Sequence, residues 1–380
     1  MISLVGRVLA PADLGVRRVT IEDGRITAIG AASDAPPGAL GGADGWIVPG
    51  LVDIQLNGAF GVDFSDPSAD VGGAATSLPS TGVTAFLPTV VSSGPEAYAP
   101  CLRNLAAPMP ADAARVLGAH LEGPFLAPTA RGTHDPSALR SPDLDEVRDW
   151  LAAGGVRIVT LAPELPGAGA VIRELVERGV IVGIGHSEAT WQEADAAIEA
   201  GASLGTHLFN AMRGFHHREP GIVGRLLGAG VAVSVIADGV HVAAEIVQLV
   251  ASIKDPDDLV FVTDGLAALG EPPGTYRLGS REVISDGVVA RLTDGTLSGS
   301  VVPMAPALGR LVATGLDPAV AVHAASTAPA RLLGLESELG RLEVGRLADL
   351  VLLDADWNPE LTVVQGRIGH RSSTFDRVAS

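Results

Sequence analysis

Residues 181–212 read IVGIGHSEATWQEADAAIEAGASLGTHLFNAM, and the fold prediction starts from their pattern. Two short apolar runs each end in a histidine, His186 and His207, and an alanine-rich helical segment at residues 194–200 lies between them. Short hydrophobic runs on either side of a helix are typical of a strand–helix–strand unit. We therefore expect the two imidazoles at the carboxyl ends of neighbouring parallel strands, where α/β barrels and open α/β sheets bind their ligands.

The same pattern repeats along the chain from residue 47 onward. Helical segments such as residues 143–153 and 169–178, whose apolar residues recur at spacings of three and four, separate the apolar runs. The candidate strands end near Gln55, Pro88, Glu122, Pro163, His186, His207, Asp238 and Asp264. Eight strands alternating with helices over roughly 220 residues predict a (β/α)8 barrel, which is a TIM-like α/β fold. A doubly wound open sheet is the alternative.

Both ends of the chain have the pattern of β-structure instead. Asp23-Gly24 lies between alternating apolar residues, which is a strong hairpin signal, and residues 347–368 are β-like again. These two segments are expected to pair. We therefore predict a small β-sandwich domain formed by residues 1–46 and 338–380, with residues 47–337 as the catalytic barrel domain.

The last part of the barrel segment departs from the strand–helix repeat. Residues 276–300 contain two Asp-Gly turns and predict an inserted hairpin. Residues 303–313 and 318–333 follow as predicted helices, each with a proline in its first turn, where the missing N–H is tolerated.

The composition limits the classes of function. The chain has 380 residues, of which 47% are hydrophobic and 18% charged, as in a soluble globular enzyme. A net charge of −18 argues against a nucleic-acid or anionic-membrane partner, since both require a basic surface. Cys101 is the single cysteine, so an intrachain disulfide is excluded. Because the sequence shows neither a secretory signal nor an apolar run of about 18 residues, we expect a cytoplasmic protein.

Polar residues stand at most of the predicted strand ends. Glu122, His186 and His207 form a set of two histidines and one carboxylate, which suits a catalytic Zn²⁺ or Fe²⁺ with an open position for water. Asp264 is then placed to accept a proton from the water that such an ion activates. Each residue also has a structural alternative: a histidine can be hydrogen-bonded within the fold, Glu122 can cap a turn, and Asp264-Gly265 can be a simple turn. The coincidence at four strand ends favours the metal site.

Nine short motifs carry a family resemblance. Six lie in the barrel segment: HLEGPF (120–125), GHSEAT (185–190), THLFNAM (206–212), REPG (218–221), ADGVH (237–241) and VTDG (262–265). The other three are IEDGRITAIG (21–30), PGLVDIQLNG (49–58) and LGRLEVGRLADLVLLD (339–354). Together they resemble the N-acetylglucosamine-6-phosphate deacetylase family of the amidohydrolase superfamily, over almost the whole chain. The last three indicate only the superfamily, whereas HLEGPF, THLFNAM and REPG are specific to the deacetylases.

The resemblance implies a function and the roles of the catalytic residues. The implied reaction is hydrolysis of the acetamide of N-acetylglucosamine 6-phosphate to glucosamine 6-phosphate and acetate, in amino-sugar recycling. Glu122, His186 and His207 become the metal ligands, and Asp264 becomes the general base and acid. His241 is expected at the acetamide carbonyl. Zinc is the first candidate for the metal, with iron, manganese or cobalt as alternatives.

The resemblance also implies how the substrate is held. His134 would contact the substrate, and Asn210 and Ala211 would bind the sugar phosphate. Arg218 would reach that phosphate in the neighbouring subunit of a homodimer. The LSGS loop, which begins at Leu297, would complete the sugar pocket.

The first predicted barrel strand departs from the wider superfamily. Many amidohydrolases have His-x-His at its end, where this chain has Gln55-Leu56-Asn57. Amides are poor ligands for a second divalent ion, and the single lysine, Lys254, lies far from the place of a bridging ligand. We therefore predict one metal ion per subunit.

Two other functions remain open from the sequence. One is a different amidohydrolase reaction, such as cyclic-amide hydrolysis or deamination; the absence of His-x-His and of a bridging lysine counts against it. The other is a barrel that has lost catalysis and serves as a binding scaffold. The presence of Glu122, His186, His207 and Asp264 together counts against a scaffold.

Overall fold

Short, buried strands alternate with helices through most of the chain. The computed structural model describes residues 1–373 and Phe375. The strands of this part are β1 (Ile2–Leu9), β2 (Asp13–Glu22), β3 (Arg25–Ala31), β4 (Leu40–Pro49), β5 (Leu51–Leu56), β6 (Gly58–Ala59), β7 (Val62–Asp63), β8 (Val83–Val91), β9 (Arg115–Val116), β10 (Ala119–Glu122), β11 (Val156–Leu161), β12 (Ile181–Ile184), β13 (Leu204–Gly205), β14 (Ala232–Ile236), β15 (Leu259–Val262), β16 (Gly274–Leu278), β17 (Arg281–Ser285), β18 (Ala290–Leu292), β19 (Leu350–Leu353), β20 (Pro359–Val364) and β21 (Arg367–Arg371).

The α-helices lie mainly between the central strands. They are α1 (Val71–Ser77), α2 (Pro95–Leu105), α3 (Leu144–Ala153), α4 (Ala168–Glu177), α5 (Trp191–Glu199), α6 (Gly221–Gly228), α7 (Ala244–Ile253), α8 (Met304–Ala313), α9 (Pro318–Val322) and α10 (Ala328–Leu332). None of the helices in the described part of the chain is long and apolar enough to cross a membrane.

Eight parallel strands form the predicted barrel. Their order is β5, β8, β10, β11, β12, β13, β14 and β15, which is also their order along the chain. A parallel bridge between Leu56 and Gly265 joins the last strand to the first. Strands such as β5 and β8 are buried at every residue, as expected of parallel strands covered by helices. The (β/α)8 prediction is confirmed, and the alternative of an open sheet is wrong.

The stretch at residues 181–212 forms the predicted strand–helix–strand unit, made of β12, α5 and β13. Helix α5 begins at Trp191 rather than at residue 194. Thr190 and Glu193 cap its first turn reciprocally, each side chain accepting from the other's backbone N–H. His186 and His207 each lie two residues beyond their strands.

Strands from both chain ends form one seven-stranded sheet, in the order β21, β20, β19, β4, β1, β2 and β3. The predicted turn at Asp23-Gly24 joins β2 to β3. Both residues have positive φ, 48° and 76°, as a type I′ turn requires. The β-structure expected of the two termini is therefore present, while the domain limits at residues 46 and 338 stay a prediction.

Two elements differ from the sequence prediction. The inserted hairpin is a three-stranded antiparallel sheet of β16, β17 and β18. The helix predicted at residues 318–333 is divided into α9 and α10 by a π-turn at His323–Thr327. Pro329 has no N–H to donate to the carbonyl four residues earlier, so a regular α-helical ladder cannot continue through this point.

Candidate active site

Charged and polar side chains meet in one cavity at the carboxyl ends of the barrel strands. Glu122 is the last residue of β10, and Asp264 lies two residues beyond β15. The cavity has a volume of about 300 Å³. It is lined by Asn57, Val91, Glu122, Thr129, Ala130, Gly132, Thr133, His134, His186, His207, Asn210, Ala211, Ile236, His241, Asp264, Leu278, Thr296, Leu297, Ser298 and Gly299.

Several of these residues have a left-handed backbone that side chains rarely adopt. The φ angles are 49° at His186, 32° at His207, 49° at Ala211 and 52° at Asp264. Such conformations cost on the order of 1–3 kcal/mol each and persist only where the surrounding structure holds them. They turn the chain at the strand ends. Strained backbone gathered at one cavity is typical of a functional site.

Glu122, His186 and His207 could hold a metal ion. One ligand atom from each lies within 4.8 Å of the others, and all three residues are buried. The carboxylate Oε1 of Glu122 lies 2.9 Å from Nε2 of His207 and 3.3 Å from Nε2 of His186. The two Nε2 atoms are 3.0 Å apart. Two imidazole nitrogens and one carboxylate oxygen that converge in this way form a donor set for a divalent ion.

The protonation of His186 fits metal binding. Its Nδ1 lies 2.9 Å from the carbonyl oxygen of Ala130, which can only accept, so Nδ1 carries the proton and Nε2 presents its lone pair. Burial lowers the pKa of His186 to about 4, so the imidazole is neutral at neutral pH. Burial alone would raise the pKa of Glu122, but its contacts with the neighbouring histidines, of which the hydrogen bond from His134 is the strongest, hold it well below its usual range. The three residues therefore fit a divalent cation.

His134 lies beside this cluster. Its Nδ1 accepts a hydrogen bond from the backbone N–H of Ser92 at 3.2 Å, so in the neutral ring the proton is on Nε2. That Nε2 is 3.5 Å from Oε2 of Glu122. The ring therefore contacts the carboxylate as well as the cavity, a position that the sequence did not predict.

Asp264 presents a buried carboxylate to the same cavity. Burial, together with the negative charge of Glu122, raises its pKa to about 6. Its Oδ1 accepts hydrogen bonds from the side-chain amides of Asn57 at 2.8 Å and Gln55 at 3.2 Å. A buried carboxylate with a raised pKa, next to a potential metal site, is suited to proton transfer.

His241 is held between two acceptors. Its Nδ1 lies 2.8 Å from Oδ2 of Asp238, and its Nε2 lies 2.7 Å from the carbonyl oxygen of Ser298. Because neither partner can donate in its ordinary state, both ring nitrogens carry protons. Burial opposes the charged ring, but the hydrogen bond to Asp238 outweighs it and raises the pKa of His241. The pair supplies an imidazolium donor at the edge of the cavity.

Nine of the ten predicted site residues line the cavity. They include the predicted substrate contacts His134, Asn210, Ala211 and Leu297. Arg218 does not join them: it is exposed, and its Nη1 lies 2.9 Å from Nε2 of its neighbour His217. Arg218 therefore does not line the cavity of its own chain.

Several lining residues could not be selected from the sequence. Thr129, Gly132 and Thr133 come from the loop after β10, and Leu278 comes from the inserted sheet. Their approach to the cavity depends on the path of that loop and on the packing of the inserted sheet, which no periodic pattern encodes. The role of Gln55 was also missed, although its place at the first strand end was a signal that its side chain faces the site.

Comparisons with known proteins indicate the family of the chain. The model of the amidohydrolase family matches residues 46–369. Human N-acetylglucosamine-6-phosphate deacetylase is 44% identical over 341 residues, which cover 85% of this chain and 83% of the human protein. N-acetylgalactosamine-6-phosphate deacetylase of Escherichia coli O157:H7 is 37% identical, with 85% and 87% covered.

A solved structure is similar over nearly the full chain. It is a mutant of N-acetyl-D-glucosamine-6-phosphate deacetylase from Mycobacterium smegmatis in complex with N-acetyl-D-glucosamine-6-phosphate. It superposes with a TM-score of 0.88 at 36% identity, covering 97% of this chain and 99% of the other.

Proposed function

This chain belongs to the amidohydrolase family, among the N-acetylglucosamine-6-phosphate deacetylases, and we propose that it hydrolyses the acetamide of N-acetylglucosamine 6-phosphate. The products are glucosamine 6-phosphate and acetate, and the reaction serves amino-sugar catabolism. The observation that carries the proposal is the buried Glu122, His186 and His207 cluster, with the Asp264 carboxylate in the same cavity. This cluster lies at the carboxyl ends of the barrel strands, where enzymes of this fold have their active sites.

We propose that Glu122, His186 and His207 hold one divalent ion per subunit, with zinc the first candidate and iron, manganese or cobalt the alternatives. A divalent ion bound there acts as a Lewis acid that polarises the acetamide and lowers the pKa of water. Support for a single ion comes from β5, where the amides Gln55 and Asn57 stand in place of stronger ligands.

Asp264 and His241 perform the proton chemistry in this proposal. Asp264 accepts a proton from the attacking water and returns it to the nitrogen of the leaving amine as the C–N bond breaks. His241 exchanges its hydrogen bond to the Ser298 carbonyl for one to the acetamide oxygen. Negative charge that develops on that oxygen is stabilised by the imidazolium that Asp238 maintains.

The lining of the cavity supports the proposed substrate contacts. His134 and Leu297 border the sugar, and Asn210 and Ala211 bind the phosphate side. Arg218 is proposed to reach the phosphate in the second subunit of a homodimer, where its guanidinium can pair with two phosphate oxygens. Its exposed position, away from the cavity of its own chain, is compatible with that role.

The domain arrangement and the cellular location complete the proposal. Residues 47–337 are the catalytic domain, and residues 1–46 and 338–380 are the β domain. The protein is proposed to act in the cytoplasm on a small amino-sugar phosphate, and neither nucleic acid nor membrane is a partner.

The test is acetate release by the purified, metal-loaded protein. N-acetylglucosamine 6-phosphate is expected to be the best substrate, ahead of its galactose epimer and of unphosphorylated N-acetylglucosamine. A protein that binds the metal yet releases no acetate from any of the three would overturn the proposal and favour a scaffold. Faster release from the galactose epimer would correct the sugar.

A further inference from the structure

Two side-chain amides at the end of β5 donate hydrogen bonds to the same oxygen of Asp264. The Nδ2 of Asn57 lies 2.8 Å from Oδ1, and the Nε2 of Gln55 lies 3.2 Å from it. We propose that Gln55 and Asn57 are positioning residues that fix the Asp264 carboxylate through Oδ1 and leave Oδ2 as the oxygen that transfers the proton. This inference rests on the proposed deacetylase function.

The orientation of both amides is set by charge. Nε2 of Gln55 also donates to Oε1 of Glu122, at 2.8 Å, so the NH₂ group lies between two carboxylates. Turning either amide by 180° would place a carbonyl oxygen against a carboxylate oxygen at the same short distance, which is repulsive. The arrangement leaves the Gln55 Oε1 and the Asn57 Oδ1 buried without a partner among the described residues. The two carbonyl oxygens stay without hydrogen bonds because this orientation directs both NH₂ groups at the carboxylates.

The backbone of the same strand end holds Asp264 as well. The N–H of Asp264 donates to the carbonyl of Gln55 at 2.9 Å, and the N–H of Asn57 donates to the carbonyl of Gly265 at 2.7 Å. These bonds close the barrel between its first and last strands, where Asp264 has its left-handed φ of 52°. Backbone and side chains of one strand end therefore position the carboxylate together.

The free oxygen determines the path of the proton. In the described part of the chain, no hydrogen-bond donor to Oδ2 of Asp264 is found, whereas Oδ1 already accepts two bonds. Oδ2 can therefore take a proton from the attacking water, and the same atom can give it to the amine nitrogen. A carboxylate free to rotate would have to be ordered in each cycle, at a cost in entropy that positioning removes. Gln55 and Asn57 thus act on the reaction through Asp264 without contacting the substrate nitrogen.

The test uses variants that keep shape and remove the donor. Asn57→Leu retains the branched side chain, and we expect kcat to fall roughly 10- to 100-fold, the usual value of a hydrogen bond to a charged group. KM and the metal content should stay within twofold of wild type, because Asn57 has no bond to the metal ligands. A crystal structure of the metal-loaded variant should show the Asp264 carboxylate rotated. Gln55→Met provides a second donor-free variant if Asn57→Leu does not fold.

The matched control is Asn104→Leu. Asn104 is a half-buried residue of α2 that donates to the carbonyl of Ala69 and does not line the cavity. This variant is expected to keep wild-type kcat. A kcat of Asn57→Leu within threefold of wild type, or an unmoved Asp264 carboxylate, would overturn the positioning role. Wild-type protein that releases no acetate would refute the proposed function instead. The two failures are distinguishable, because the rotation of the Asp264 carboxylate in the crystal structure is measured independently of turnover.

Discussion

Replacing Asp264 by asparagine removes the proposed proton acceptor while preserving the shape of the side chain. The Oδ1 of the new residue can still accept from Asn57 and Gln55, and its Nδ2 takes the place of Oδ2. Glu122, His186 and His207 are unchanged, so the variant is expected to keep its fold and its metal. What it loses is the ability to take a proton from water and to return it to the amine.

The size of the effect follows from that double role. A positioned acid or base contributes about 10²- to 10⁴-fold to a rate, and an amide can replace Asp264 in neither transfer. We therefore expect kcat to fall by about 10³- to 10⁴-fold, which corresponds to about 4–5.5 kcal/mol of transition-state stabilisation. KM should change by less than about threefold, because the sugar contacts Asn210, Ala211 and Leu297 remain in place.

The assay is acetate release from N-acetylglucosamine 6-phosphate, with metal analysis on the same protein sample. Asp145→Asn is the control, since this aspartate in α3 has a side chain that is 90% exposed. The control should behave as wild type. Activity of Asp264→Asn within tenfold of wild type would show that another group is the base. Loss of the metal would show that Asp264 is a ligand.

Three further outcomes are expected. Arg218→Ala should raise KM for the phosphorylated sugar roughly 10- to 100-fold, because it removes a charged hydrogen bond to phosphate, and should leave turnover of N-acetylglucosamine unchanged. Wild-type protein should bind about one equivalent of metal, and Glu122→Gln should bind it at least about tenfold more weakly because the ligand loses its charge. Asp53→Asn should gain stability over wild type as the pH rises, since burial raises the pKa of Asp53 from 3.8 to about 7.

The sign of the last effect follows from proton linkage. Below about pH 4 the Asp53 carboxyl is neutral in both folded and unfolded chains. Between that pH and 7 the unfolded chain ionises while the folded one holds its proton, so the folded state loses stability as the pH rises. Between pH 4 and 8 the difference in free energy of unfolding between variant and wild type should therefore grow by up to about 4 kcal/mol, measured by urea denaturation.

The Arg218→Ala and Glu122→Gln predictions each have a matched control. Arg148→Ala removes an arginine from an exposed pair and should leave both KM values unchanged. Glu245→Gln changes an exposed glutamate and should keep the metal affinity. An equal effect of Arg218→Ala on both sugars would show that it does not bind the phosphate, and two tightly bound ions would contradict the single-metal proposal. A pH-independent difference at Asp53 would show that its carboxyl is ionised in the folded chain as it is in the unfolded one.

The sequence by itself determined the repeat of strand and helix, because that information is local. Eight short apolar runs between amphipathic helices can close only as a parallel barrel or open as a doubly wound sheet, and polar residues at their ends must meet on one side. Glu122, His186, His207 and Asp264 could be selected for that reason alone. The Asp23-Gly24 turn was equally clear, because a type I′ turn needs two residues that tolerate positive φ.

Only the tertiary structure decided how those side chains are oriented. Asn57 and Asp264 are 207 residues apart in sequence, and no local pattern specifies which carboxylate oxygen an amide will contact. The direction of each side chain depends on the left-handed backbone just beyond its strand, and the lining contributed by Leu278 depends on how the inserted sheet packs. Periodicity places a residue at a strand end, but distances between atoms from different strands are set by closure of the barrel.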